Sequence, residues 1–351
     1  MSTSEASADS SAPEMTQMWQ HPVAIVQWLT KQGQHVTPPL EIERVGIGQS
    51  NITTLVADAD GNEWVLREPP PGVVTATAHD VEREARILQA LAPSDIPVPR
   101  VVGTGRSPSG SAFLVMARVA GRALETENDA PALPERRRYE LGRAVAATLG
   151  RLHCLEPGIL GIRASETPYL VRQLRRVTEA WQHYGMGSSH DGDWHAVRSD
   201  LEARAPSPAS PVIMHGDFRL SNLLIDGGKI AAVLDWELCT VGDPLADLAW
   251  LLDDWRPPQE SEIVMPSPTR AGGFPNRNEM VGIYHECTGR ATDFLDYYRA
   301  FSQWRAASLL QGVLARRQAG VMGSHAAVAA EQLDHSIGVL LTSAATHLAE
   351  L

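Results

Sequence analysis

Cysteine, long apolar runs and excess positive charge are what this 351-residue chain has least of. Its three cysteines, Cys154, Cys239 and Cys287, are odd in number and far apart, with no CxxC pair. That argues against a disulfide framework or a cysteine-rich zinc site and fits a reducing, cytoplasmic setting. No run of about 18 apolar residues occurs, so no segment reads as membrane-spanning. Lys and Arg number 30 against 42 Asp and Glu, a formal net charge of −12. Neither nucleic acid nor an anionic membrane is the expected partner of such a surface. The opening "MSTSEASADSSAPE" lacks the basic start and apolar core of a signal peptide. Residues 1–15 read as a disordered tail.

What is present is ordinary globular composition, 43% hydrophobic and 21% charged. A short helix is expected at Pro22–Gln32, followed by alternating strands through "LEIERVGIGQSNITTLVADADGNEWVLREPP" with a turn at Asp60-Gly61. Ala78–Leu91 has helical spacing, and two more strands flank the turn in "PRVVGTGRSPSGSAFLVMARVAGRAL". After Gly121 the pattern becomes helical, with helices near Tyr169–Tyr184 and Trp194–Arg204 and one led by "PERRRYELG". The expected architecture is α+β: a small antiparallel-sheet lobe over 16–120, then a larger helical lobe over 121–351. No internal repeat is evident. Arg256–Asn278, rich in Pro, Gly and Ser, reads as too polar for core and long enough for a lid.

Between two apolar runs, "VIMHGDFRLSNLLIDGGKIAAVLDWE" concentrates polar groups. Carboxylates beside buried strands are costly unless a metal, a substrate or a network pairs with them. Asp217 and Asn222 are five positions apart, and Asp235 follows on the next strand, beyond a hairpin turning at Asp226-Gly227-Gly228. Phosphoryl transfer uses such a set: one carboxylate for the acceptor hydroxyl, an amide oxygen and a second carboxylate for Mg²⁺. Downstream, "GDPLADLAWLL" starts a helix with Asp243 as N-cap and Pro244 in its first position. Asp226 reads as a turn residue. Asp247 sits in the first helical turn, where the dipole alone would favour it.

"HGDFRLSNLL", "AAVLDWE" and "GDPLADLAW" resemble the aminoglycoside phosphotransferase-type kinases, which share the two-lobed protein-kinase fold. More narrowly, "GQSN", "WVLREPPPG", "AHDVEREARILQAL" and "FLVMARVAGR" are similar to the branch that includes kinase-like domains fused to acyl-CoA dehydrogenases. The resemblance spans roughly 40–320. It implies ATP and Mg²⁺ as cofactors, Asp217 as catalytic base, and Asn222 and Asp235 as metal ligands. His215 joins the catalytic group as support of the loop, with a satisfied buried imidazole as the bland alternative, and Asp247 braces the loop. Glu237 touches the metal or is solvated.

A kinase also needs a cation over the phosphates, usually a strand lysine. Lys31 and Lys229 are the only lysines, and neither falls in the right strand. Arg67, closing "EWVLR", takes that place, a departure from the commoner residue. Glu84 lies inside the apolar arc of Val81, Ala85, Leu88 and Leu91, so it needs a cation, and Arg67–Glu84 is the expected pair. Gly48, Gln49, Ser50 and Asn51 would cover the phosphates through backbone N–H groups. Their loop lacks the third glycine of the protein-kinase motif, and an ordinary hairpin turn also explains it. Backbone groups of Met116, Ala117 and Val119 would bind adenine.

Trp250, Trp255, Tyr298 and Trp304 are candidates to line an acceptor pocket, although aromatic residues at helical spacing are usually core. The acceptor is expected to be a hydroxyl-bearing small molecule, a hydroxyacyl compound or its CoA thioester ahead of an aminoglycoside or amino-alcohol. Arg172, Arg175 and Arg176 could meet CoA phosphates or form a solvated face. A non-catalytic nucleotide-binding module is the rival class, kept open by Arg67. No APE motif follows Asp235, which disfavours a protein kinase.

Overall fold

A computed structural model describes residues 17–45, 51–70, 80–162, 165–320 and 328–351. The expected tail, Gly48, Gln49 and Ser50, and the first two residues of the helix expected from Ala78 lie outside the described residues. The chain forms two compact units, Met1–Gln89 with Pro99–Arg118, and Ala90–Val98 with Val119–Leu351. Among the described residues no helix is long and apolar enough to cross a membrane.

The smaller unit begins with α1 (Pro22–Lys31), then β1 (Glu41–Val45), β2 (Ile52–Ala57) and β3 (Glu63–Glu68). Next come α2 (Val81–Leu91), β4 (Val101–Arg106) and β5 (Ala112–Ala117). The five strands make one antiparallel sheet in the order β1-β2-β3-β5-β4. Strand alternation sends Val56, Trp64, Leu66, Phe113 and Val115 to one core with Ile25 and Leu29 of α1. Trp28 packs edge-on against Phe113, ring centres 5.1 Å apart. A Cβ at Gly105 would meet Phe113 Cζ at 2.5 Å and Trp28 Nε1 at 2.7 Å, so that contact requires glycine there. Asp58 shapes the β2–β3 turn by accepting from the N–H groups of Thr37, Asp60 and Asn62. Burial opposes ionisation of Asp58, but the Asn62 side chain and these N–H groups outweigh it and hold its carboxyl at about 2.

In the larger unit come α3 (Glu135–His153), α4 (Tyr169–Tyr184), α5 (Asp191–Ala203), β6 (Val212–Met214), β7 (Leu223–Asp226), β8 (Lys229–Val233) and β9 (Thr240–Gly242). Then follow α6 (Pro244–Asp254), α7 (Arg277–Thr288), α8 (Leu295–Gln318) and α9 (Ala330–Ala349). Helix α6 is apolar on nearly every side, and almost every residue of it is buried. Helix α5 starts three residues earlier than expected, because Asp191 and Asp193 favour a first turn. Asp191 also accepts from the Trp181 indole at 2.8 Å. Residues 90–98 join this unit, where Pro97 O accepts from Val233 N at 2.7 Å.

Most of the stretch from Arg256 to Asn278 is exposed or half-buried, as expected of a polar segment, but part of it reaches the core. Arg256, Ser267 and Thr269 are buried. They satisfy one another, Thr269 Oγ1 donating to Arg256 O and hydrogen-bonding Ser267 Oγ, each at 2.9 Å. Arg277 ties the segment to α6 by donating to Leu252 O at 2.7 Å.

Candidate active site

Strands β6 and β9 pair antiparallel, all of β6 is buried, and the chain leaves it at His215. Gly216 then takes φ +87°, the left-handed region, and a Cβ there would lie 2.8 Å from Leu238 O. The turn is held from beneath by Asp247 of α6, which accepts from His215 N at 2.7 Å and Gly216 N at 2.8 Å. His153 Nε2 approaches the same carboxylate at 3.3 Å, and His153 Nδ1 is 2.8 Å from the Tyr284 hydroxyl. Burial would raise the Asp247 carboxyl, but the His153 contact and the Gly216 N–H outweigh it and hold it below the ordinary value.

Asp217, Asn222 and Asp235 are half-buried, open enough to meet a ligand. Asn222 Nδ2 donates to both Asp217 O and Asp217 Oδ2, each at 2.8 Å. Both partners are acceptors, so the amide nitrogen faces Asp217 and the amide oxygen faces elsewhere. Asp217 Oδ1 accepts from Trp250 Nε1 at 2.6 Å. Trp250 stands three positions after Asp247 on α6, so one helix face braces the loop and orients its carboxylate. Asp235 follows β8 at φ 63°, a left-handed conformation unusual for a non-glycine residue. Leu234 N donates to Asn222 O at 2.8 Å, which fixes the strand end to the loop.

His215 is fully buried, its ring centre 4.7 Å from that of Trp236 and tilted against it by 59°. Its Nε2 contacts Leu234 O at 2.8 Å, and its Nδ1 accepts from Asp217 N at 3.2 Å. A carbonyl can only accept and an N–H only donate, so the ring is the neutral Nε2–H tautomer. With both nitrogens engaged by backbone, His215 joins the Asp217 loop to the residue before Asp235. That is the geometry of the loop support expected of it.

In the smaller unit Arg67 Nη1 and Glu84 Oε1 lie 2.5 Å apart, both side chains buried. Asn51 is buried at the start of the β2 strand. Met116 and Ala117 close β5, where Ala117 N already donates to Arg100 O at 2.9 Å, and Val119 begins the stretch that belongs to the larger unit.

Three expected pocket residues are buried instead. Tyr298 is 2% exposed and gives its hydroxyl to the N-cap Asp243. Trp304 is fully buried, stacked on Trp194 at 4.8 Å with its Nε1 on Trp194 O. Trp255 is likewise buried, donating to Pro275 O at 2.8 Å. Glu237 is half-buried, two residues beyond Asp235. On α4, Arg172 lies over the Tyr169 ring and Arg175 faces Glu179 at 3.8 Å, an exposed charged surface. Sequence reasoning missed Arg219 and Asp254, which pair at 3.1 Å. Arg219 is two residues past Asp217, and that proximity was the available signal. Burial pushes the Asp254 carboxyl up to about 6, Arg219 and Arg256 opposing the rise and the Asp217 charge adding to it.

The model of the phosphotransferase enzyme family matches residues 41–278. Acyl-CoA dehydrogenase family member 10 of Mus musculus is 32% identical over 326 residues, which is 90% of this chain and 30% of that protein. The chain spans between 30% and 37% of the length of that and two similar curated relatives. A crystal structure from Ralstonia eutropha, provisionally named an aminoglycoside phosphotransferase, shares 26% identity at a TM-score of 0.74, covering 92% of this chain and 97% of that one. A ternary complex of aminoglycoside phosphotransferase APH(4)-Ia with AMP-PNP and hygromycin B, 16% identical at a TM-score of 0.61, covers 91% and 97% and shares the fold. The chain thus belongs to the phosphotransferase enzyme family, with the α+β, two-lobed protein-kinase-like fold and the alcohol-directed phosphotransferase class that go with it.

Proposed function

We propose that this enzyme is an ATP- and Mg²⁺-dependent kinase that moves the γ-phosphoryl group of ATP to a hydroxyl of a small molecule. The observation that carries the reading is the Asn222 amide, whose nitrogen is spent on Asp217 while its oxygen is turned away. With the Asp235 carboxylate fixed after β8, that oxygen makes a hard, oxygen-only donor set, the kind magnesium prefers. Bound there, the ion would neutralise charge on the nucleotide phosphates.

The chain's own residues supply the rest. Asp217, its rotamer set by Trp250 and Asn222, orients the acceptor hydroxyl and takes its proton. Arg67, held by Glu84, binds phosphate oxygens through parallel N–H donors. Gly48 to Asn51 cover the phosphates and the 116–119 backbone receives the base. The preferred acceptor is a hydroxyacyl compound, free or as its CoA thioester, since the mouse relative is an acyl-CoA dehydrogenase family member. An aminoglycoside or amino-alcohol is the second reading, supported by hygromycin B in the APH(4)-Ia complex and by the acidic balance of this chain.

Magnesium titration of ADP release tests the donor set, using wild type, Asn222→Ala and Asp235→Asn over an acceptor panel. Loss of a group one shell further out already weakens metal sites by about ten- to hundredfold, so each variant should need at least that much more magnesium. Turnover indifferent to magnesium in all three proteins would contradict the proposal.

A further inference from the structure

A cavity of about 670 Å³ in the larger unit is lined by Asp253, Arg256, Glu260, Ile263, Gln303 and Leu340, among others. All of these but Glu260 also line a narrow recess that reaches Arg219 and Trp250. Trp250 is the donor to Asp217, so one lining runs from the proposed base to the cavity.

The charges in that lining are paired off, with one exception. Arg219 faces Asp254 at 3.1 Å, Arg299 faces Asp253 at 3.0 Å, and Arg277 clasps Glu260. Arg256 has no carboxylate in ion-pair contact among the described residues. It is 5% exposed, its Nη2 donates to Met265 O, and its Nη1 has no hydrogen-bond partner. Asp254 and Glu260 act on it electrostatically from further off, but a buried guanidinium N–H with no acceptor is unfavourable, and buried polar atoms in folded proteins nearly always find partners. Arg256 is not alone. Arg219 Nε, Asp253 Oδ2, Asp254 Oδ2, Ser302 Oγ and Gln303 Oε1 are also buried and unpartnered along the same lining. Ile263, Met265, Ala306 and Leu340 supply apolar wall between them.

We infer that this cavity receives the acceptor and that Arg256 binds an anionic group on it, a carboxylate or a phosphate, while an aliphatic chain lies along the apolar wall. Calling the ligand the acceptor rests on the kinase reading; the anion site does not. A carboxylate or phosphate joined to an aliphatic chain and a hydroxyl describes a hydroxy acid or its CoA thioester.

The test is thermal stabilisation by three probes without nucleotide: 3-hydroxyoctanoate, 3-hydroxyoctanoyl-CoA and neutral 1,3-octanediol. Wild type should bind at least one anion more tightly than the diol. Arg256→Gln, which keeps a donor for Met265 O, should weaken that binding by about tenfold or more, the scale of one hydrogen bond between charged groups. Arg256→Lys should restore part of it. Binding of the free acid identifies the carboxylate as the anion, and binding of the thioester alone identifies phosphate. Equal binding of the diol, no binding of either anion, or an Arg256→Gln protein that binds like wild type overturns the inference. Phosphoryl transfer measured on the same proteins reports separately on the kinase reading, because anion binding without transfer would fail that reading alone.

Discussion

At Asp247 a carboxylate stays ionised in the core because donors from two directions surround it. Two backbone N–H groups come from the Asp217 loop, and the His153 imidazole comes from α3. Its folded-state carboxyl titrates below the ordinary value, so the stability it confers is complete above about pH 4 and is lost as pH falls through the lower folded value. Asp247→Asn should therefore cost about 3 kcal/mol at neutral pH, the scale for breaking a buried charged network. Urea unfolding of the two proteins should begin to converge below about pH 4 and meet only once pH has passed the lower folded value. The residue itself was legible, since its position in the first turn of an N-capped helix is written in "GDPLADL". Its partners were not, because His153 lies 94 positions away and no periodicity connects them. Arg67 and Glu84 were legible for a better reason: a carboxylate inside an apolar arc demands a cation, and the lysine count left few candidates.

Elements with a strong local rule follow the sequence closely. Strand β6 and helix α4 take the expected bounds, and α6 starts where Asp243 and Pro244 predict, Leu245 N donating to Asp243 Oδ1 at 3.1 Å. Segments whose order depends on distant polar pairing do not. Arg256–Asn278 read as surface because hydropathy counts hydroxyls as water-seeking, whereas in the fold those of Ser267 and Thr269 pair with each other and with the Arg256 backbone. Trp304 and Tyr298 were expected near substrate on residue type alone, which does not distinguish a stacked core ring from a pocket wall. At the turn after β6 the element depends on one backbone conformation. Gly216→Ala should cost about 1–3 kcal/mol of stability through the left-handed φ and the contact with Leu238 O. Thermal unfolding with turnover should show activity falling further than stability, because the displaced turn carries Asp217.

Across the whole molecule, composition set limits and the polar stretch after β6 set the chemistry. The acidic balance argued against nucleic acid and anionic membrane as partners without choosing a substrate. The hydrophobic period changes near Gly121, a few residues past the unit boundary at Arg118, whereas nothing local in residues 90–98 signals that they join the helical unit. The central claim is that Asp217 serves the acceptor hydroxyl rather than holding the nucleotide. ³¹P NMR of wild type and Asp217→Asn with ATP, magnesium and a hydroxy-acid panel, alongside calorimetric ATP binding, tests it most directly. The account predicts a new phosphomonoester signal in wild type, a loss of about 10²- to 10⁴-fold in the variant, and ATP affinity nearly unchanged. A phosphomonoester formed equally fast by both proteins would contradict it.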